Sequence, residues 1–149
     1  MAFTGNFMAT SFKQQILEGV HDFRTSGDTF YIALYTNSAS FTAATTAYTT
    51  SNEITNTTGS AYVAGGAVLG NVNPSTSGTT ALTDFADETW SSASFTARGA
   101  MIYNSTPNHT YTNPSVVILD FGSDKTASAG DFTVVFPTPD ASNAIIRIA

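Results

Sequence analysis

Ser94-Phe95-Thr96-Ala97-Arg98-Gly99-Ala100-Met101-Ile102-Tyr103 is the stretch whose reading decides the fold. In an extended chain Phe95, Ala97, Gly99, Met101 and Tyr103 point one way, and Ser94, Thr96 and Arg98 point the other. Alternation with a period of two marks a β-strand. Outward from this run the period recurs. Phe30, Ile32 and Leu34 alternate with Tyr31, Ala33 and Tyr35, a strand apolar on both sides and therefore central in a sheet. Ser115 to Phe121 is a second doubly apolar strand. Tyr62 to Leu69, carrying Gly65-Gly66, reads as a strand with a bulge. Thr80 to Phe85 reads as a strand and Asp87 to Trp90 as a short one. Phe132, Val134 and Phe136 form a strand face stopped by Pro137 and Pro139.

The last strand spans Ala144 to Ile148. Ala144, Ile146 and Ile148 share one face, and Ile145 and Arg147 the other. Such an apolar strand needs a pairing partner, in this chain or a neighbouring copy. Turns are expected from Asn73-Pro74 through Ser77-Gly78 and from Gly122 to Gly130. Asn104 to Pro114 is a polar loop, and residues 37–60 are a long Thr/Ser/Asn/Ala-rich loop with at most a short strand. The fold class that follows is mainly β, an antiparallel sandwich or barrel.

One N-terminal amphipathic α-helix is expected to cover it. Ser11 and Gln14 have capping-box spacing. Phe12, Ile16, Val20 and Phe23 form its apolar face, and Ser26-Gly27 is its stop. Residues 1–9 precede it as an arm studded with Phe3, Phe7 and Met8, which have few local mates. The arm is expected to dock on a partner. Residues 10–149 then form a single β-rich domain.

Composition bounds the function. Of 149 residues, 25 are Thr and 16 are Ser, while only 11% are charged. A surface of hydroxyls and amides packs against neighbours without burying unpaired charge. The net charge of −6 argues against a nucleic-acid partner, which requires a basic patch. No apolar run spans a membrane, and the N-terminus lacks a Sec signal, so synthesis in a cytoplasm is expected. The absence of Cys excludes disulfides and thiolate metal sites.

Catalytic sets are missing. Asp120-Phe121-Gly122 matches a kinase tripeptide without the rest of that signature. Asp84, Asp87 and Glu88, and Asp120, Asp124 and Asp131, read as turn and cap carboxylates and lack EF-hand spacing. His21 and His109 are too few for a histidine zinc site. The sequons at Asn56, Asn104 and Asn108 are expected by chance in so Thr- and Asn-rich a chain. No catalytic residue, metal or cofactor is expected. Arg98 and Arg147 interrupt apolar alternation, and each fits either an acid in its own chain or a contact between subunits.

Residues 11–21, Ser-Phe-Lys-Gln-Gln-Ile-Leu-Glu-Gly-Val-His, resemble the start of small virion proteins of tailed bacteriophages, especially phages of aquatic bacteria. Residues 33–39, 97–104 and 140–149 extend the likeness over most of the chain. The resemblance implies a non-enzymatic virion structural protein, made in the host cytoplasm and carried in the particle. A capsid decoration (cement) protein on the shell exterior is the leading expectation, with the major capsid protein or other virion proteins as partners and a homo-oligomer or multi-copy assembly. A tail component (tube, baseplate or fibre domain) is the alternative. A carbohydrate-binding adhesin is the third reading, with Tyr31, Tyr35, Tyr48, Tyr62, Trp90, Tyr103 and Tyr111 as its stacking residues. The partner-binding candidates are Phe3, Phe7, Met8, Arg98 and Arg147.

Overall fold

The computed structural model describes residues 3–55 and 61–149. Its elements are β1 (Phe7–Met8), α1 (Thr10–Leu17), β2 (Phe30–Tyr35), β3 (Ala67–Val68), β4 (Asn71–Ser77), β5 (Thr80–Phe85), β6 (Glu88–Asn104), β7 (Ser115–Val134) and β8 (Ile146–Ile148). All pairing is antiparallel. One sheet has the order β1-β7-β6-β2-β3, the other β4-β5-β8. The chain is thus mainly β with one short N-terminal helix. No described helix is long and apolar enough to cross a membrane.

The two longest strands, β6 and β7, organise the larger sheet. Their pairing shifts register at four places, and the largest shift falls between Ala97↔Lys125 and Gly99↔Asp120. Arg98 alone stands on β6 opposite residues 121–124 of β7. This bulge flips the faces. Phe95 and Ala97 enter the main apolar cluster, and so do Ala100 and Ile102. Met101 and Tyr103 point to a second cluster on the opposite face. Unbroken alternation over 94–103 is therefore corrected at Arg98. A Cβ on Gly99 would lie 2.3 Å from Phe3 Cε1 and 2.5 Å from the Leu119 carbonyl oxygen, so only glycine fits.

The main cluster draws Ile32, Leu34 and Ile102 from the larger sheet and Phe85 and Ile146 from the smaller. The second cluster packs Phe3, Ala39 and Phe41 over Tyr35, Met101 and Ile118. The larger sheet is thus covered on both faces, and β2 is central between β6 and β3, in keeping with its doubly apolar sequence.

Several local expectations are corrected. The turn at 73–78 belongs mostly to β4. Pro74 sits at its bulge on an edge strand, where no ladder hydrogen bond is needed. The turn expected over 122–130 is strand, because β7 stays paired to β6 through Val134. Tyr62 to Leu69 contributes only Ala67–Val68 to the sheet. Thr80 to Phe85 is β5 as expected, whereas Asp87 to Trp90 is the beginning of β6. The C-terminal strand is Ile146–Ile148, paired with β5; Ala144 and Ile145 lie outside it.

The helix ends at Leu17, not at Ser26-Gly27. Val20 N–H donates to Gln15 O and Gly19 N–H to Ile16 O, a Schellman closure with Gly19 at φ +72°. No capping box forms. Ala9 is the N-cap, Ser11 Oγ is buried without a partner, and the Gln14 side chain bonds Glu18. Val20 and Phe23 still pack inward, from irregular chain; Phe23 stacks on Phe30 at 4.5 Å.

The arm is folded onto its own chain. Phe3 is 2% exposed and meets Phe41 edge-on at 5.6 Å. Phe7 and Met8 pair with Ile118 and Val117. The premise that these side chains lack mates is corrected, because the open side of β7 and the 37–55 loop supply them. That loop makes isolated bridges Tyr35↔Glu53 and Ala47↔Pro114 and forms no longer strand among its described residues. Residues 56–60, with the Asn56 sequon, lie outside the described residues.

Candidate partner-binding groove

A groove of about 570 Å³ opens between the free side of β7 and the C-terminal segment. Phe7, Met8, Val117 and Leu119 line one part, and Val134, Val135, Phe136 and Ile146 another. β7 contributes both Leu119-Asp120-Phe121 and Val134, so its bent path supplies two walls. Val135 is 70% exposed and Ile145 half-buried.

The groove has one edge without a partner. Among the described residues β7 pairs only with β6 and, on its other side, with β1, which reaches only Val117 and Ile118. The chain preceding β1 turns away at Asp120. There Gly5 N–H donates to Asp120 Oδ2 at 3.1 Å, and Asp120 N–H donates to Asn6 Oδ1 at 2.7 Å. Side-chain bonds replace the backbone ladder at that point.

Asp120 and Arg147 are the charged lining residues. Asp120 is already neutralised: Arg98 Nε lies 3.1 Å from its Oδ1. Burial alone would raise the Asp120 carboxyl, but the Gly122 N–H, the Arg98 guanidinium and the Gly5 N–H hold it below the usual carboxylate range. Arg147 donates to the Ala141 carbonyl at 2.5 Å and makes no ion pair among the described residues. Asp140 is near enough to feel it, but that carboxylate is held by Ser142 and Asn143.

The five sequence-chosen contact residues therefore divide. Phe7, Met8 and Arg147 line one groove. Arg98 supports it through Asp120, and Phe3 lies in the second cluster. Sequence reasoning missed Leu119, Phe121, Val135 and Ile145. Their only signal is apolar character, and none of their spacings joins them.

The aromatic residues offer no broad exposed platform. Tyr35, Tyr62, Trp90 and Tyr103 are buried, and Tyr111 is 39% exposed. Tyr31, Tyr103 and Tyr48 stack at 5.6 and 4.5 Å. Several phenols converge on Glu53, itself buried. Tyr48 OH, Tyr62 OH and Gly65 N–H each donate to its carboxylate at 2.6 Å. Burial, then the Glu53 charge, raises the Tyr103 phenol to about 12. Glu53 thus ties Tyr48, Tyr62 and Gly65 together beside its bridge to Tyr35 of β2.

His21 belongs to a polar relay, with Nε2 2.9 Å from Gln15 Oε1 and Nδ1 3.0 Å from Asn104 Nδ2. Burial lowers it to about 4, against an opposing pull from Asp28. No group of three His, Asp or Glu among the described residues is placed to hold a metal ion. Comparison with protein-family models, curated proteins and solved structures finds no match to this chain.

Proposed function

We propose that this chain is a non-enzymatic structural protein of a tailed-bacteriophage virion, acting as a capsid decoration protein on the outside of the shell. The observation that carries the reading is the groove. It joins Phe7, Met8 and Arg147 beside a strand edge that no other described strand pairs, on a chain rich in hydroxyls and acids. An apolar recess rimmed by polar residues is the expected form of a protein contact. The sequence resemblance to phage virion proteins supports the same reading. A decoration protein binds the assembled shell and stabilises it by mass action.

Quantified gels of purified particles from the phage that encodes the chain test it. Hundreds of copies per particle, and a shell that melts lower when the protein is stripped, are expected. Absence from the particle overturns the virion assignment. The tail reading has one observation in its favour. β6 and β7 run as a ribbon over 88–97 and 125–134, where neither pairs with another described strand, an arrangement suited to ring closure by strand pairing. A count of tens of copies would select it over the shell.

A further inference from the structure

We propose that a small cavity between α1, the chain just after it and one face of the smaller sheet binds a neutral, single-ring molecule of the phenol type, with Thr83 holding its hydroxyl. This site goes beyond the virion reading and does not depend on it.

The walls set the size of the ligand. Ile16, His21 and Phe23 line one side, and Thr83, Ile146 and Ile148 the other, around about 170 Å³. An apolar cavity of about 150 Å³ takes a benzene ring. Ala81 and Thr83 of β5 stand opposite Ile148 and Ile146 of β8, so the four share one face of the sheet, and all four line the cavity. The Phe23 ring is held by its stack on Phe30 at 4.5 Å and offers aromatic surface to a second ring.

The polar groups set its chemistry. Thr83 is 5% exposed, and its Oγ1 is buried with no hydrogen-bond partner among the described residues. An unmatched buried hydroxyl is destabilising, and a ligand hydroxyl that meets it removes the penalty. One χ1 step turns Oγ1 about Cβ towards such a ligand without moving β5. His21 has no nitrogen to spare, since Nε2 meets Gln15 and Nδ1 meets Asn104, and burial keeps the ring neutral at pH 7. No Asp, Glu, Lys or Arg is among the described lining residues, so an ionised ligand would lose its hydration without gaining a counter-charge. A ring with one neutral hydroxyl matches both walls and anchor.

Phenol and toluene differ by a hydroxyl in place of a methyl group, and titration of each into the isotope-labelled full chain, followed by two-dimensional NMR, tests the proposal. Phenol should give saturable shifts of amides in 81–83 and 146–148 and bind about fivefold or more tighter than toluene, although toluene is the more apolar. Thr83→Val keeps the shape and should remove that preference. It should also melt no lower than wild type, because the hydroxyl it removes is unmatched. Ala81→Phe should fill the cavity and weaken both probes, with its own melt as the check of folding. Absence of saturable phenol shifts in these two segments overturns the site. Toluene binding wild type as tightly as phenol, a preference that survives Thr83→Val, or a clearly lower melt of Thr83→Val each overturns Thr83 as the anchor.

Discussion

Arg98 and Asp120 meet at 3.1 Å where β6 and β7 change register. The pair is largely shielded, with side-chain exposures of 20% and 11%. Arg98 stands opposite the bulge of 121–124, and Asp120 also accepts the Gly5 and Gly122 N–H groups. One carboxylate thus ties the arm, the bulge and β6 together.

Arg98→Ala should cost about 1–2 kcal/mol, because it leaves Asp120 shielded without its cation. Asp120→Ala should cost at least as much, since two backbone donors lose their acceptor. The double variant should cost less than the sum, and a double-mutant cycle from urea melts measures the difference. The folded carboxyl lies below its unfolded value, so its contribution is complete above the unfolded value and is lost as pH falls through the folded one. Additive single costs would show that the contact is idle.

Phe3→Ala should destabilise the protein by about 3–5 kcal/mol, since the ring is buried against Phe41 and over Gly99. Deleting residues 1–9 should lower the melting temperature for the same reason, and should also uncover Val117 and Ile118. An unchanged melt would restore the view of the arm as a free docking segment.

His21 should make the protein acid-sensitive in a defined window. Its folded value of about 4 lies below the ordinary 6.5, so the unfolded chain binds the proton more readily. Stability is complete above pH 6.5 and declines as pH falls towards 4. Thermal melts from pH 7 to 4 should show that decline, and His21→Gln should flatten it. A wild-type melting temperature constant across this window contradicts the buried neutral ring.

Glu53→Ala should cost several kcal/mol, at about 1–3 kcal/mol for each buried donor left unmatched. Tyr48, Tyr62 and Gly65 all lose their acceptor. Glu53→Gln keeps one acceptor oxygen and should cost clearly less. Limited proteolysis should then cut Glu53→Ala faster than Glu53→Gln, so equal protease resistance of the two variants would count against the pinning role.

Period-two patterning was sufficient to identify β2, β5 and the core of β6, because each buries side chains on predictable faces. It could not locate the face reversal at Arg98, which arises from residues 121–124 standing opposite a single residue 23 to 26 positions earlier. The same pairing turns a Gly- and Ser-rich stretch with turn composition into strand. Helix length followed the same division. Phe12, Ile16, Val20 and Phe23 are truly apolar positions, but the Gly19 closure takes the latter two out of the helix. Composition by itself determined that the chain is hydroxyl-rich, acidic and poor in catalytic groups. Only tertiary structure decided that Phe3 is core, that Arg98 pairs with Asp120, and that Phe7, Met8 and Arg147 share a groove. The physical reason is that burial and charge pairing depend on contacts between segments up to 115 residues apart, and local periodicity carries no information about those contacts.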